Sequence, residues 1–291
     1  MLIGDSFAQG AFVPAGSDPA SLFREAGVHT VTCGMGANGP LLELATLIEF
    51  GSAVRPPVVL WLYYEANDMR DLTIGQRNPL LRRYLDDPAF CQHLWERQGE
   101  VDVYLRRCLD ARWSEMPTVS PGLAKHRGGT FMGSRLFEMA KLTRLRARLT
   151  GVILGAHPEL LESPPPSALF GQILDEARTR VAAWEGTVIF VYLPAWSRYA
   201  SHANDHGGFH HRDAVLAVAR EIGMETWDFG EALAAQPDPL AHFPFCACGH
   251  YNEDGYALLA AWLLKRLGER ISSTQETTGR TGKRLRADTQ H

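Results

Sequence analysis

Four short stretches of the chain place polar side chains or glycines where they could do chemistry. The first is Gly4-Asp5-Ser6, which follows an apolar stretch at residues 1–3. A serine at the turn from a strand into a helix lies at the carboxyl end of a parallel sheet, where open α/β folds bind ligands. Its hydroxyl could attack a carbonyl carbon, and its amide could face the developing oxyanion. Ser6 is therefore a candidate nucleophile, and Asp5 a weaker candidate for contacting substrate.

Two further stretches could donate hydrogen bonds to that oxyanion. GMGANGP, residues 34–40, is a turn whose small residues allow backbone amides to approach a substrate. Asn67, in YYEANDMRD, carries a side-chain amide that could donate. Each stretch has a simpler interpretation, a tight strand-to-helix connection for the first and an Asx turn or helix cap for the second. Because all three stretches follow successive predicted strands, we expect them to meet at the carboxyl ends of those strands.

The fourth stretch is GHYNEDGYALLAAWLL, residues 249–264, which carries His250 just before an amphipathic helix. A lone histidine at a helix start is usually a cap or a surface residue. Beside a serine, a glycine turn and an asparagine, it is better interpreted as the general base.

The elements that must position these stretches alternate between short apolar strands and helices, which predicts an α/β fold with a parallel, doubly wound sheet. The predicted strands are residues 1–3, 29–33, 57–64, 187–193 and 224–229, and the predicted helices are residues 19–26, 41–50, 168–184, 213–222 and a last one around 256–267. The sequence of residues 72–166 shows no strand pattern, which predicts a helical insertion. We expect one domain over residues 1–270 and a disordered tail over 271–291.

Composition narrows the classes of partner. A net charge of -4 gives no reason to expect nucleic acid or an anionic membrane surface. The chain as given has neither a membrane-spanning run nor a leader, which predicts a cytoplasmic protein. Its first strand is short for a central strand, however, so we also expect that the reading frame begins upstream, where a leader or anchor would lie.

The four stretches, in this order, resemble the SGNH or GDSL-type serine hydrolase superfamily over most of the chain outside the insertion and tail. The runs GPLLELATLIEFG and VVLWLYYEANDMRDL look like a bacterial subgroup of unassigned substrate. The resemblance implies a three-layer α/β/α, flavodoxin-like fold, Ser6 as nucleophile and His250 as base. It also implies an oxyanion hole built from the amides of Ser6 and Ala37 and the side chain of Asn67, with no metal or organic cofactor.

The chain departs from that family in the acid that orients the histidine. The family usually places it two or three residues before the histidine, and here those positions are Cys248 and Ala247. Loss of the acid can lower turnover by about 10⁴ in a serine triad. Asp238, Asp228 or a backbone carbonyl could replace it; we choose Asp238 weakly, with a carbonyl-assisted dyad equally favoured.

Two smaller departures lie in the oxyanion stretches. Ala37 stands where the family has a glycine, and its amide can still donate if its backbone dihedrals permit. Glu65 stands where many members have glycine.

Two other groups of residues have competing interpretations. FCACGH offers Cys246, Cys248 and His250 as soft ligands, with His242 just before it as a further one. The C-x-C-x-H spacing is not that of a zinc or haem motif, so we expect no metal. Trp196 and Tyr199, in YLPAWSRY, either line a substrate pocket or pack beneath the insertion.

These observations predict a serine esterase or deacetylase for small acyl esters, with O-acetyl groups on carbohydrate as one candidate substrate. An acyltransferase would use the same groups. The alternative class is a non-catalytic binding protein of the same fold, which the missing acid favours and the retention of Ser6, Asn67 and His250 disfavours.

Overall fold

The protein is built around a parallel β-sheet. The computed structural model describes residues 1–115, 163–200, 211–246 and 249–287. The strands are β1 Leu2–Gly4, β2 Val58–Tyr64, β3 Thr187–Leu193 and β4 Glu225–Asp228, in the order β1-β2-β3-β4. All neighbouring pairs are parallel. The predicted α/β fold with a parallel sheet is therefore confirmed.

The predicted strand at residues 29–33 is wrong as a full strand, because only Thr32 forms a bridge, to Leu2 of β1. Val31 beside it is 45% exposed, so this edge segment buries too little to extend the pairing. With the segment counted as the second strand of the chain, the spatial order is the flavodoxin-like order 2-1-3-4-5.

The described helices lie between and after the strands along the chain. Those before β3 are α1 Ser6–Gln9, α2 Pro19–Glu25, α3 Pro40–Thr46, a π-helical turn Leu47–Gly51, α4 Ser52–Val54, α5 Asp68–Gly75, α6 Pro79–Asp86, α7 Gln98–Glu115 and α8 Ala168–Ala182. Those after β3 are α9 Arg212–Glu221, α10 Phe229–Ala234 and α11 Glu253–Ala287, with short 3₁₀ turns at Trp196–Arg198, Pro239–His242 and Pro244–Cys246.

Successive strand residues point to opposite faces and fill two separate cores. Trp61 and Tyr63 of β2 lie in the core beneath α3, α5, α6, α8 and α9. Leu62 and Tyr64 lie in the core beneath α1, α2, α10 and α11. Both faces of the sheet are therefore covered, which gives the three layers of an α/β/α architecture.

The chain divides into two compact units, Met1–Cys91 with Glu162–His291, and Gln92–Leu161. The first unit holds the sheet and includes α5 and α6, whose Leu72 and Tyr84 are buried in its core. The described part of the second unit contains α7. The single domain with a helical insertion stays a prediction.

The last helix, α11, continues past Arg270, where the predicted domain ends, to Ala287. The division of the chain at residue 270 also stays a prediction. Within the described ranges, none of the helices combines the length and the hydropathy that a membrane span requires.

Candidate active site

Ser6 and His250 are hydrogen-bonding neighbours. Nε2 of His250 lies 2.6 Å from Oγ of Ser6, although 244 positions separate the two residues. The Ser6 hydroxyl also lies 3.3 Å from Oδ2 of Asp5. A neutral imidazole with its proton on Nδ1 would accept the Ser6 proton at Nε2, which is the geometry of a nucleophile and its general base.

Ser6 owes its position to the end of β1. Gly4 packs so closely that a Cβ there would lie 2.8 Å from the Leu62 carbonyl oxygen and 2.9 Å from Ala8 Cβ. Asp5 then caps α1 by accepting a hydrogen bond from the Phe7 amide at 2.8 Å. The chain therefore turns sharply into α1 with Ser6 as the first helical residue, partly exposed at the carboxyl edge of the sheet.

The glycine turn packs against both neighbouring stretches. A Cβ on Gly34 would lie 2.4 Å from the Gln9 amide nitrogen of α1, and one on Gly39 would lie 2.7 Å from the Asp71 carbonyl carbon of α5. Gly36 hydrogen-bonds Gln9 Oε1 through its amide at 3.1 Å. Close backbone contact thus holds the turn beside Ser6.

Two backbone amides of the predicted oxyanion hole are available as donors. Among the described residues, the amides of Ser6 and Ala37 have no hydrogen-bond acceptor. Ala37 is exposed and has a φ of 66°, in the left-handed region that normally favours glycine. Ala37 therefore has a backbone conformation that glycine adopts more readily than alanine.

Asn67, the third predicted donor, is engaged by two carboxylates. Its Nδ2 donates to Asp5 Oδ2 at 3.1 Å and to Asp71 Oδ2 at 2.8 Å, which uses both of its N–H groups. Its Oδ1 is buried, and no hydrogen bond to it is present in the described part of the chain. Asn67 is therefore close to the Ser6 stretch, but it must exchange one of these bonds before it can donate to an oxyanion.

Burial changes the acidity of the carboxyl groups behind the nucleophile. Burial raises the pKa of Asp5 to about 6, although hydrogen bonds from the Phe7 amide, Asn67 and Ser6 oppose the rise. Burial also raises the pKa of Asp71, against the charge of Arg70 and the hydrogen bond from Asn67. Asp5 therefore changes its charge close to neutral pH, next to Ser6.

A second pair of acids lies deeper in the same region. Glu43 of α3 and Asp68 of α5 are fully buried, and burial raises the pKa of both well above the usual range. The charge of Asp5 adds to the rise for Glu43, and the charge of Glu43 adds to it for Asp68. Asp68 Oδ2 accepts a hydrogen bond from the Tyr64 amide at 2.9 Å. Because their raised pKa values favour the protonated forms, Glu43 and Asp68 add little negative charge behind Ser6.

Glu65 connects the end of β2 to the segment after β3. It is buried, and it accepts hydrogen bonds from the Ala195 amide at 2.7 Å, from the Tyr192 hydroxyl and from the Arg198 guanidinium. The Arg198 pKa is raised well above its usual value by these bonds and by the Glu65 charge, against the effect of its own burial. The Glu65 carboxylate therefore joins β2 and β3 at their carboxyl ends, where the site lies.

The two aspartates considered as the orienting acid have other partners. Asp238 caps a 3₁₀ turn through the Leu240 amide at 3.1 Å. Asp228 pairs with Arg212 and accepts from the Gly230 amide at 2.7 Å. Within the described residues neither is bonded to His250. The choice of Asp238 as the orienting acid stays a prediction. The backbone carbonyl stays a hypothesis, and residues 247 and 248 lie outside the described ranges.

Trp196 and Tyr199 pack against the core beneath α10 and α11. Both are partly buried, and the Tyr199 hydroxyl donates to the Gly230 carbonyl at 3.2 Å. A role in substrate binding stays a prediction for both. In the part of the chain that the structure describes, no group of three His, Cys, Asp or Glu side chains is arranged to hold a metal ion.

A cavity of about 280 Å³ adjoins the glycine turn. Its walls include Ala37, Leu41, Ile74, Leu81 and Asp71. Ala37 and Asp71 connect it to the candidate oxyanion hole, because the Ala37 amide is a predicted donor and Asp71 is bonded to Asn67. The cavity is small and mostly apolar, which suits a short acyl group.

The sequence analysis missed Asp71 and the ring contacts that Phe7 and Phe12 make with the His250 imidazole. Asp71 lies four positions after Asn67 at the start of α5, a spacing that places two residues on one face of a helix, so this signal was available. The aromatic contacts join residues far apart in the chain, and no local pattern indicates them.

Comparisons with known proteins add little to this geometry. No family model matches the chain, and neither does any of the curated proteins. It is similar to a solved structure described as a candidate lipolytic protein of the G-D-S-L family from Desulfitobacterium hafniense, with 13% identity and a TM-score of 0.46, over 90% of this chain and 95% of the other. Similarity at that level assigns no role to any residue of this chain.

Proposed function

We propose that the protein is a serine ester hydrolase that acts on small acyl esters through Ser6 and His250. The observation that carries the proposal is the 2.6 Å separation between Ser6 Oγ and His250 Nε2. The amides of Ser6 and Ala37 have no acceptor among the described residues, and they lie in the stretches around the same serine, where an oxyanion would need donors.

The chemistry follows from these groups. His250 Nε2 takes the Ser6 proton while Oγ attacks the ester carbonyl carbon, and the carbonyl oxygen becomes an oxyanion held by the two amides. Asn67 becomes the third donor when its side chain exchanges one of its carboxylate bonds for the oxyanion. When the tetrahedral intermediate collapses, the bond to the alcohol breaks and the alcohol takes the proton from His250. Water then repeats the sequence on the acyl-enzyme, giving the acid and restoring Ser6.

The apolar cavity next to Ala37 is the best candidate for the acyl group. A volume of about 280 Å³ lies just below the roughly 300–1,000 Å³ of typical small-molecule sites, so the cavity suits a short acyl group. Asp71 in its wall would disfavour an anionic acyl group, because burial next to a carboxylate is costly for a second negative charge. Acetyl and short neutral acyl esters, including O-acetyl groups on carbohydrate, are therefore the substrates to test first.

The direct test is hydrolysis of p-nitrophenyl acetate by the wild type and by Ser6→Ala, with Ser52→Ala, an exposed serine of α4, as the matched control. We expect Ser6→Ala to lose at least about 10³-fold in kcat, and Ser52→Ala to retain wild-type activity. A fluorophosphonate should label the wild type at Ser6, as located by mass spectrometry of the modified peptide.

Two outcomes would contradict the proposal. Equal rates for the wild type and Ser6→Ala would remove the serine from the mechanism. A wild type that neither turns over esters nor reacts with the fluorophosphonate would favour a non-catalytic binding protein.

A further inference from the structure

A column of four aromatic rings runs from the core to the surface through His250. Tyr64 at the end of β2 stacks on Phe7 at 3.9 Å between ring centroids, and Phe7 stacks on His250 at 4.7 Å with an interplanar angle of 23°. Phe12 contacts the same imidazole at 4.6 Å and 48°. Phe7 is buried, whereas Phe12 is 83% exposed, so the imidazole lies between a core ring and a surface ring.

Phe7 is itself fixed on several sides. Besides Tyr64, it contacts Tyr251 edge-on at 4.9 Å and Tyr256 at 6.4 Å. In the described part of the chain, Phe7 and Phe12 are not in ring contact with each other, so they touch different parts of the imidazole. The buried Phe7 ring gives the His250 imidazole a rigid support, and the Phe12 ring contacts a different part of the imidazole.

Phe12 has an unfavourable backbone conformation and an unfavourable exposure. Its φ is 69°, a left-handed value that is rare for a bulky side chain. Its apolar ring is largely in solvent, and the ring contact that it makes within the described residues is the one with His250. Local strain that persists in a folded protein is a reason to look for a functional role.

We infer that Phe12 is a positioning residue that, with Phe7, holds the His250 imidazole toward Ser6 and stabilises its protonated form. This inference rests on the proposed function. In a serine triad the acid fixes the orientation of the imidazole and stabilises the imidazolium. Packing against two rings restricts rotation of the imidazole, and aromatic faces attract the positive charge that forms when the Ser6 proton reaches Nε2.

The test compares Phe12→Gly and Phe12→Trp with the wild type on p-nitrophenyl acetate. Glycine relieves the left-handed backbone and removes the ring, so the melting temperature should stay the same or rise while kcat falls about 3- to 10-fold at unchanged KM. Tryptophan keeps an aromatic face and should retain kcat within about twofold.

Phe245→Gly is the matched control, because Phe245 also has a left-handed φ, 56°, and is 89% exposed. It should leave kcat unchanged, since Phe245 has no ring contact with His250 among the described residues. Ser6→Ala, measured beside these variants, tests the proposed function separately from the role of Phe12. If Ser6→Ala is as active as the wild type, the proposed function fails before Phe12 is considered.

Three results would overturn the inference while leaving a Ser6-dependent hydrolase intact. The first is wild-type kcat in Phe12→Gly. The second is a rise in KM with kcat unchanged, which would make Phe12 a substrate contact. The third is an equal fall in kcat for Phe245→Gly, which would show that the loss does not depend on contact with His250.

Discussion

Asp5→Asn should change how the free energy of unfolding depends on pH. Burial raises the pKa of Asp5 to about 6 in the folded protein, against hydrogen bonds from Phe7, Asn67 and Ser6. In the unfolded chain an aspartate titrates at about 3.9. The folded state therefore binds this proton more tightly, and the stability that protonated Asp5 contributes is present below about pH 4 and is lost as the pH rises through about 6.

The size of the effect follows from the same shift. A difference of about two pKa units corresponds to about 3 kcal/mol. Because Glu43 and Asp68 also have raised pKa values, both proteins should lose stability over this pH range, and the informative quantity is their difference. The advantage of Asp5→Asn over the wild type should grow by about 3 kcal/mol between about pH 4 and 7 and then stay level. The Asp5 charge also helps to raise the pKa of Glu43 and Asp68. Its removal in Asp5→Asn lowers those pKa values, which further increases the advantage of the variant as the pH rises.

Urea denaturation followed by tryptophan fluorescence at several pH values measures this difference. Asp18→Asn is the control, because Asp18 also caps a helix, accepting from the Ser21 amide at 2.9 Å. Its partial burial raises its pKa, but hydrogen bonds from Ser21 outweigh that effect and the pKa is lowered. The wild type should therefore gain stability over Asp18→Asn as the pH rises, the opposite sign. Parallel pH curves for the wild type and Asp5→Asn, or a difference that shrinks as the pH rises, would refute the reasoning.

Three further substitutions test the surroundings of the site. Asn67→Ala should lower kcat about 100-fold with little change in KM, because an oxyanion donor is lost; an unchanged kcat would leave the oxyanion to the two backbone amides. Gly75→Phe should fill the cavity, since a Cβ there would lie 4.0 Å from Leu41 Cβ and Leu81 Cδ1 without a clash. Its kcat/KM should fall about fourfold for each further methylene of the acyl chain while acetate is unaffected, and a uniform loss for all esters would argue against an acyl cavity. Glu65→Gln should lower the free energy of unfolding by about 3 kcal/mol in urea denaturation, since the positive charge of Arg198 would remain without that carboxylate; a loss below about 1 kcal/mol would contradict the importance of this ion pair.

The sequence by itself determined the alternation of strands and helices. That alternation in turn places Ser6, the glycine turn and Asn67 together at the carboxyl ends of the strands. These features depend on local periodicity and on glycines at close backbone contacts, both of which are visible along the chain. The burial of the apolar stretches that form β2 and β3 could be predicted without knowing which elements pack against them. The segment at residues 29–33 was overpredicted, because strand formation at a sheet edge depends on how much of the segment the neighbours cover.

Only the tertiary structure decided how the side chains around Ser6 are paired. It directs Asp238 and Asp228 to nearby backbone amides, engages both N–H groups of Asn67 with carboxylates, and raises the pKa of Asp5 through burial. It also brings Phe7 and Phe12 against His250, about 240 positions further along the chain. Pairing, burial and ring stacking depend on distances in space, and residue types along the chain constrain those distances only through the fold.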